Sequence, residues 1–400
     1  MCCGAADEGD FVMKILHVVS SVWRGGGGTS EVVSRLCRAL KECGHDVTLA
    51  ATRNPNISDA ATAAIAAGVE YRAFPRVKYL RSLAISPVFS REVKRLVAGA
   101  DVIHSHGCWM YPPWAAGWAA QRQGKPYLMM PHGSLNPEAL RRSRWKKRIV
   151  GTMIERQLLR RADGIVATSE SEAEGIKAYG VNGRIHIMPI GLDWQDIDFG
   201  MRNDCLLQKL GCDVRKKHLL YLSRISPGKG LDMLADAWGR INHVDWQLLI
   251  VGPDDRGYTD VVRGIYKDYI ADGSVIVSAP IYGKDKFDLL KSTDAFVLPT
   301  RSENWSIAVA EAMAAKLPVV CTKGAPWDCI EEVNAGKWVD ISSDGITMGL
   351  ECIMNLTDDE RHSMGERGRM WVKQNLNWDV IVKNLVAFYE DIINGRRATS

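Results

Sequence analysis

Short, uninterrupted apolar runs alternate with helical patterns along the whole chain, and this alternation limits the possible folds more than any other feature. The runs lack the polar/apolar alternation of a strand with one face in water. We therefore expect strands covered on both faces, as in parallel sheets flanked by helices. Regular alternation of strand and helix predicts a doubly wound α/β fold. The predicted strands are residues 15–20, 47–52, 69–74, 101–106, 126–131, 164–169, 184–189, 218–223, 246–252, 274–278, 295–299 and 318–322.

The chain is too long for one compact core, since it has 400 residues and single domains usually stop near ~150–250. Two stretches of alternation meet at residues 189–193 (Pro-Ile-Gly-Leu-Asp), and the pattern restarts after Cys212. We predict two Rossmann-like domains, residues 1–190 and 191–377, facing each other across a cleft. Residues 378–400 open with an amphipathic helix, with apolar side chains at helical spacing at Trp378, Ile381, Leu385, Phe388 and Ile392.

Composition excludes several classes of protein. Apolar residues make up 46% and charged residues 24% of the chain, values that rule out a disordered chain, a collagen and a coiled coil. No run approaches the ~18 uncharged apolar residues of a membrane-spanning helix. The ten cysteines show neither zinc-type spacing nor the framework of a small secreted domain. We therefore expect a reduced, cytoplasmic protein.

A glycine-rich segment, residues 24–30 (Arg-Gly-Gly-Gly-Gly-Thr-Ser), lies between the first predicted strand and a helix. Glycines allow close approach of a ligand, and a helix start offers free N–H groups to an anion. A dinucleotide-binding fold would end its second strand with a carboxylate for the ribose. Here that strand ends at Arg53, which disfavours a nicotinamide cofactor. A flexible loop without function stays possible.

Two acidic residues flank a predicted helix start at the end of strand 295–299. Glu303 precedes a helix that we expect to begin near Trp305, and Glu311 lies two turns along it. Ligands of α/β sheets bind at the carboxyl ends of strands, where a helix start can hold phosphate. The carboxylates could accept hydrogen bonds from sugar hydroxyls. The alternative is a capping acid and one exposed glutamate.

Two cations bracket a Pro-Gly turn after strand 218–223. Arg224 offers a forked donor and Lys229 a point charge, a combination that suits a diphosphate. The alternative is an ordinary solvated turn.

Together these motifs resemble the retaining nucleotide-sugar glycosyltransferases of family 4, which have the GT-B fold. The resemblance includes Glu303-x7-Glu311, the Arg224…Lys229 turn, the glycine-rich loop, Pro131-His132-Gly133 and the hinge at 189–193. It implies an acceptor-binding first domain and a nucleotide-sugar-binding second domain. It also implies a final helix that crosses back to the first domain.

The resemblance implies a role for each matching residue. Arg224 and Lys229 would neutralise the donor diphosphate, while Glu303 would meet hydroxyls of the transferred sugar. Glu311 would bind the ribose diol. The remaining donor contacts would come from the backbone of Ser306, Ile307 and Ala308, from Gly26 and Gly27 closing over the reaction centre, and from His132 beside the sugar. The catalytic set that the resemblance implies is Glu303, Arg224, Lys229 and His132, which would act on a UDP- or GDP-linked sugar without a required metal or other cofactor.

The sequence departs from the family pattern at three positions near the Glu303–Glu311 motif. Trp305 and Ser306 stand where Phe and Gly are common, and Lys316 replaces a usual Gly. The identity of the sugar therefore stays open.

Two patterns could indicate a metal ion. His104-x-His106 places two imidazoles on one face of a strand, and Asp196-Ile197-Asp198 matches the D-x-D of metal-dependent transferases. No carboxylate or cysteine cluster accompanies the histidines, and the D-x-D follows the hinge rather than a core strand. We therefore predict no metal site.

A basic cluster occupies residues 141–148, with six Lys and Arg among eight residues, and apolar positions at helical spacing follow it. Such a segment favours anionic lipid headgroups, although a solvated helix with its apolar side in the core is the alternative. Nucleic-acid binding would need base-stacking aromatics among the cations, and Trp145 alone is poor support for it. The cluster, Arg141, Arg142, Arg144, Lys146, Lys147 and Arg148, predicts peripheral association with the inner face of the cell membrane.

We therefore predict transfer of a sugar from a nucleoside diphosphate to a saccharide or lipid-linked saccharide, with retention, in cell-surface polysaccharide or glycolipid assembly. Two rivals stay open: another GT-B enzyme, such as a sugar-nucleotide epimerase or a phosphorylase, and a non-catalytic membrane-surface protein.

Overall fold

A computed structural model describes residues 12–22, 28–53, 68–77, 83–141 and 150–397. Within them the chain forms two compact units. The first contains the described residues up to Ile190 together with those from Trp378 onward, and the second is Gly191–Asn377. The backbone N–H of Leu192 donates a hydrogen bond to the carbonyl of Leu376 (3.0 Å). The first and last residues of the second unit therefore lie next to each other.

The first unit contains a seven-stranded parallel sheet in the order β3-β2-β1-β4-β5-β6-β7. Its strands are β1 (Lys14–Val19), β2 (Asp46–Arg53), β3 (Glu70–Pro75), β4 (Val102–His106), β5 (Tyr127–Met130), β6 (Gly164–Ala167) and β7 (Ile185–Ile187). Its helices are α1 (Gly28–Glu42), α2 (Pro87–Gly99), α3 (Tyr111–Arg122), α4 (Pro137–Arg141), a π-helical turn (Gly151–Glu155), α5 (Arg156–Arg160) and α6 (Glu170–Ala178).

Both faces of this sheet are buried, as the apolar runs predict. On β1, Ile15 and Val19 face one hydrophobic cluster and Leu16 and Val18 face another. The final helix lies in the first of these clusters. It packs there through Trp378, Ile381, Val382, Leu385, Tyr389, Ile392 and Ile393.

The second unit contains a six-stranded parallel sheet in the order β10-β9-β8-β11-β12-β13. Its strands are β8 (Lys217–Leu222), β9 (Trp246–Val251), β10 (Val275–Ser278), β11 (Ala295–Leu298), β12 (Val319–Thr322) and β13 (Gly336–Val339). The helices from Trp194 onward, including the final one, are α7 (Trp194–Phe199), α8 (Asp204–Lys209), a 3-10 turn (Pro227–Lys229), α9 (Leu231–Arg240), α10 (Tyr258–Ile265), α11 (Lys267–Ala271), α12 (Lys284–Ser292), α13 (Ile307–Ala314), α14 (Cys329–Glu332), α15 (Ser343–Met354), α16 (Asp358–Asn375) and α17 (Trp378–Arg397).

The predicted fold class, two Rossmann-like α/β domains, is confirmed. One strand was missed: β13 is a four-residue edge strand with partly exposed Lys337 and Trp338 at its centre, so its sequence lacks the apolar run of a central strand. Among the described helices, none is long and apolar enough to cross a membrane. None of the eight described cysteines takes part in a disulfide bond.

Candidate active site

Lys229 and Glu303 form a largely buried ion pair at the carboxyl edge of the second sheet. Lys229 ends the 3-10 turn after β8, and Glu303 lies in the loop after β11. The Lys229 ammonium donates to Glu303 Oε2, and the two side chains are only 8% and 21% exposed. The sequence motifs predicted each residue separately as part of a donor site, and the structure brings them into direct contact.

The loops that carry this pair are locked together by close backbone contacts. Gly230 has a φ of +69°, and a Cβ there would lie 2.0 Å from the carbonyl oxygen of Pro299. Arg301 donates its backbone N–H to Gly228 (2.9 Å), and its guanidinium forks onto the carboxylate of Asp232 (2.7 and 2.6 Å). A side chain at position 230 would push the two loops apart, so this glycine is required for the pair to form.

Arg224 sits on the same edge with its guanidinium in solvent. Its side chain is 61% exposed and its nearest carboxylate, on Asp255, is 4.0 Å away. The hydroxyl of buried Tyr221 donates to the Arg224 carbonyl (2.7 Å). Burial raises the pKa of Tyr221 strongly; the charge of Glu303 adds to this increase, and that of Arg224 opposes it. The charges of Arg224 and Glu303 therefore act on one buried tyrosine.

Helix α13 begins beside Glu303 without a side-chain cap. It starts at Ile307, two residues later than expected, because Ser306 takes a φ of +77°. Ser306 makes no capping bond to the helix, while Ile307 and Ala308 stay partly exposed. The first N–H groups of this helix can therefore receive an anion.

Glu311 is buried inside the unit and paired with a lysine that sequence analysis missed. Lys286 on α12 donates to Glu311 Oε1 (2.7 Å), and the two side chains are 17% and 5% exposed. Lys286 lies on α12 and Glu311 on α13, and no sequence motif links the two positions. The contact therefore could not be predicted from the sequence pattern.

Two of the three departures from the family pattern share one backbone conformation. Ser306 and Lys316, which replace the usual glycines, both lie in the left-handed region, with φ of +77° and +68°. The fold at these positions thus keeps the conformation that glycine adopts most readily. The third, Trp305, is buried, and its carbonyl accepts a hydrogen bond from Trp327 Nε1 (2.5 Å).

In the first unit, His132 occupies a tightly held turn after β5. Its φ is +53°, and Gly133 follows at +74°. The Gly133 N–H donates to Glu172 Oε1 (2.5 Å), while Thr168 donates its N–H and its hydroxyl to Oε2 (2.8 and 2.7 Å). Glu172 therefore fixes the turn. Burial lowers the pKa of His132 to about 4, although the charge of Glu172 opposes this shift.

Three further histidines lie together on strands β1 and β4. One ring nitrogen from each of His17, His104 and His106 falls within 4.8 Å of the others. The H-x-H pattern identified His104 and His106 in the sequence. His17 joins them because β1 and β4 pair with His17 opposite His104. Burial lowers the pKa of all three, that of His17 to about 3, so the rings are neutral at pH 7. Their residue types could hold a metal ion.

Other predicted residues are placed as follows. Asp198 of the D-x-D accepts a hydrogen bond from Arg369 (2.6 Å). Arg141 ends α4 and is exposed. Gly26 and Gly27, and Arg142, Arg144, Lys146, Lys147 and Arg148 of the basic cluster, lie outside the described residues.

Two family models match most of the chain. The one described as "Glycosyl transferase 4-like domain" matches residues 27–191, and "Glycosyl transferases group 1" matches residues 204–371. The chain belongs to glycosyltransferase family 4. This glycosyltransferase is of the retaining class that its motifs implied, and the predicted family and enzyme class are confirmed.

Curated relatives agree with this assignment. A D-inositol 3-phosphate glycosyltransferase of Xylanimonas cellulosilytica is 26% identical over 78% of this chain and 76% of its own. A GDP-mannose-dependent alpha-mannosyltransferase of Corynebacterium glutamicum is 25% identical over 95% of this chain and 89% of its own. A GDP-mannose:cellobiosyl-diphosphopolyprenol alpha-mannosyltransferase of Xanthomonas oryzae is 23% identical over 95% and 97%.

Solved structures show the same fold. HepE of Anabaena, solved with UDP and glucose, superposes with a TM-score of 0.74 at 17% identity over 95% of this chain and all of its own. A glycosyltransferase of Rickettsia africae gives 0.75 at 17% identity over 96% and 99%. The predicted GT-B fold is therefore confirmed.

Proposed function

We propose that this glycosyltransferase moves a hexose from a GDP- or UDP-linked donor to a hydroxyl of a saccharide or lipid-linked saccharide. The observation that carries the proposal is the buried Lys229–Glu303 pair beside the exposed Arg224 guanidinium and the uncapped start of α13. Two cations and a helix start on one sheet edge form a receptor for a diphosphate.

The Lys229–Glu303 contact gives both residues a role before and after donor binding. Without donor, Glu303 neutralises a lysine that would otherwise be a buried, unpaired charge. A diphosphate supplies the same compensation, so its arrival would free the Glu303 carboxylate for hydroxyls of the transferred sugar. A carboxylate engaged by hydroxyls of the transferred sugar binds that sugar, and we assign Glu303 to sugar binding rather than to a covalent intermediate.

The proposed reaction forms a bond between the acceptor oxygen and the anomeric carbon on the face that the diphosphate leaves. The bond from that carbon to the β-phosphate oxygen breaks, and its electron pair goes to the phosphate. The acceptor proton passes to that phosphate oxygen. Arg224, Lys229 and the amides of Ile307 and Ala308 would stabilise the charge on the leaving diphosphate.

The remaining assignments extend the family resemblance. Glu311 would accept hydrogen bonds from the ribose diol, with Lys286 holding its carboxylate in place. His132 would contribute a hydrogen bond to the donor sugar, and Gly26 and Gly27 would close over it. No step of this scheme needs a metal ion, because cationic side chains hold the diphosphate.

The names of the relatives suggest which donors and acceptors to test first. Several are named as using GDP-mannose, and HepE was solved with UDP and glucose. GDP-mannose and UDP-glucose are therefore the first donors to test. Two relatives are named for a diphosphopolyprenol-linked acceptor, which favours a lipid-linked saccharide and, with the 141–148 cluster, work at the inner face of the cell membrane.

Thermal unfolding with GDP-mannose, UDP-glucose, GDP and UDP tests the donor site. A true donor at 100 times its Kd stabilises the fold by ~2.7 kcal/mol. Arg224→Ala should abolish the shift, whereas Arg215→Ala, an 86% exposed arginine before β8 at the opposite sheet edge, should not. An unchanged shift in Arg224→Ala would contradict the assignment of this edge.

A second experiment tests whether transfer retains the anomeric configuration of the donor. The anomeric proton of the new linkage, read by NMR, should show the configuration of the donor. An inverted product would contradict the proposed reaction even if donor binding is as expected.

A further inference from the structure

A continuous row of imidazoles leads from the buried centre of the first sheet to His132. His17 lies on β1, His106 is the last residue of β4, and His132 follows β5. His17 Nδ1 lies 2.8 Å from His106 Nε2, and His106 Nδ1 lies 3.1 Å from His132 Nε2. The row contains two imidazole–imidazole hydrogen bonds in series.

Ring geometry supports both bonds. The rings of His17 and His106 are tilted by only 16°, with centroids 5.1 Å apart. The rings of His106 and His132 are tilted by 35°, with centroids 5.3 Å apart. Each separation is close to the N···N distance plus two ring radii, so the rings meet edge to edge. A ring N–H and the facing lone pair lie in that edge.

All three rings are neutral, so each carries a single N–H. Burial lowers the pKa of His17 to about 3 and of His132 to about 4, and it lowers that of His106 well below its usual value, with further repulsion from His104. Two groups lie beside the row. His104 pairs instead with the Tyr389 hydroxyl (2.6 Å), and Glu172 binds the neighbouring Gly133 N–H.

The far end of the row fixes the direction of every bond. Among the described residues, His17 Nε2 is buried and has no hydrogen-bond partner. A proton there would leave a buried N–H unpaired, which is rarer and more costly than an unpaired lone pair. The His17 proton is therefore on Nδ1 and is donated to His106 Nε2. His106 must then carry its proton on Nδ1 and donate it to His132 Nε2.

We propose that His17 and His106 are positioning residues that hold His132 as the neutral Nδ1–H tautomer, with Nε2 occupied. The other ring nitrogen of His132, Nδ1, is then a hydrogen-bond donor. It meets an acceptor atom of the substrate, such as a sugar hydroxyl oxygen, and cannot act as a general base. This last step rests on the proposed function, whereas the tautomer itself does not.

A metal ion is the competing use of these histidines. Zinc bound by nitrogens at ~2.0–2.1 Å in tetrahedral geometry separates its ligands by roughly 3.3 Å. The 2.8 Å contact between His17 and His106 is shorter and matches a hydrogen bond. The three-histidine group also contains no carboxylate to offset a divalent charge in a buried site.

Long-range ¹⁵N–¹H spectra of histidine-labelled protein test the tautomers directly, because protonated and unprotonated ring nitrogens resonate far apart. His132→Asn assigns the His132 signals. We expect Nδ1–H on His17, His106 and His132 from pH 6 to 8. An Nε2–H or a charged ring at His132, or one equivalent of bound transition metal in the purified protein, would overturn the inference.

Enzymatic variants test whether the row matters for turnover with GDP-mannose or UDP-glucose, whichever the protein binds. His106→Asn keeps an N–H donor near the Nδ1 position, whereas His106→Leu removes it. We expect His106→Leu to lower kcat roughly tenfold, the scale of one lost hydrogen bond, and His106→Asn to stay close to wild type. Equal losses in both variants would contradict the positioning role.

The matched control is the double variant His104→Leu/Tyr389→Phe. It replaces a neighbouring buried hydrogen-bonded pair with apolar groups, a change that is often nearly neutral, and it leaves the row intact. Its turnover and its His132 spectrum should match wild type. If His132→Ala keeps wild-type turnover while the spectra show the expected tautomers, the proposed sugar contact fails and the tautomer assignment stands.

Discussion

Lys286 on α12 and Glu311 on α13 form a largely buried ion pair, with 2.7 Å between Nζ and Oε1. The carboxylate that we assign to the ribose is therefore held by a cation from a neighbouring helix. Removing one member of a buried pair typically costs ~3–5 kcal/mol, because the other charge is left uncompensated. Lys286→Met should thus lower the free energy of unfolding by a few kcal/mol in urea titrations.

The double variant Lys286→Met/Glu311→Gln serves as the control for that experiment. It removes both charges, so it should regain most of the lost stability while still weakening donor binding. A double-mutant cycle that shows no coupling between the two positions would contradict a direct pair.

Ser306 is held in a backbone conformation that suits glycine. With φ at +77°, a non-glycine residue carries ~1–2 kcal/mol of strain, so Ser306→Gly should raise the melting temperature by a few degrees. Ser226→Gly provides the comparison, because Ser226 has an extended φ of −148° and should gain nothing. Equal changes in the two variants would show that left-handed strain is not the cause.

Lys229 should be essential for turnover. Lys229→Met removes a fixed cation from the proposed leaving group and should lower kcat by about 10²–10³-fold. Lys217→Met alters a lysine at the start of β8, at the opposite edge of the same sheet, where it pairs with Asp358. That variant should keep its activity; comparable losses would point to a structural effect on β8 rather than to catalysis.

The buried histidines should make the first unit sensitive to acid. The pKa values of His17 and His132 in the folded protein, about 3 and about 4, lie below the 6.5 of an exposed histidine. Between these values the unfolded chain binds more protons than the folded one, so stability falls as pH decreases from about 6.5. Each such histidine contributes up to ~1.4 kcal/mol per pH unit in that window.

Equilibrium unfolding measured from pH 7.5 to 4.5 checks this dependence. His104→Leu/Tyr389→Phe removes one buried histidine and should make the decline shallower. His362→Gln, which alters an exposed histidine on α16 of the second unit, serves as the comparison for the loss of a histidine as such. A pH-independent free energy of unfolding would mean that these rings are charged, or accessible to water, in the folded state.

The basic cluster should control binding to anionic lipid. Replacing Arg141, Arg142, Arg144, Lys146, Lys147 and Arg148 with glutamine should weaken binding to phosphatidylglycerol vesicles by well over tenfold, since each near-surface cation contributes ~1 kcal/mol. Co-sedimentation at low and moderate salt measures the effect. Replacing exposed Arg202, Lys209 and Arg215 of the second unit should change little, and undiminished binding of the cluster variant would contradict the membrane proposal.

Local sequence patterns predicted most of the fold. Apolar runs located twelve of the thirteen strands formed by the part of the chain that the structure describes, because buried parallel strands leave a signal that depends only on neighbouring residues. β13 escaped because an edge strand can include Lys337 and Trp338. The start of α13 was misplaced by two residues, since the left-handed φ of Ser306 cannot be seen in residue types alone.

The candidate site was predictable only where its residues follow strand ends. Glu303, Arg224 and Lys229 lie in loops at the carboxyl edge, which the pattern identifies directly. Lys286 and His17 were missed because their contacts join elements far apart in sequence, Lys286 to Glu311 and His17 to His106. Such contacts depend on sheet order and helix packing.

The place of α17 has a consequence for synthesis. Its side chains, from Ile381 to Ile393, help complete the hydrophobic cluster on β1, yet the ribosome makes the whole of Gly191–Asn377 before it reaches them. Until then, the nascent first unit exposes an apolar face that α17 will later cover, and this exposure favours aggregation. The second unit is one continuous segment of the chain and can fold before α17 is made. The order of folding during translation should thus be the reverse of the order in the sequence.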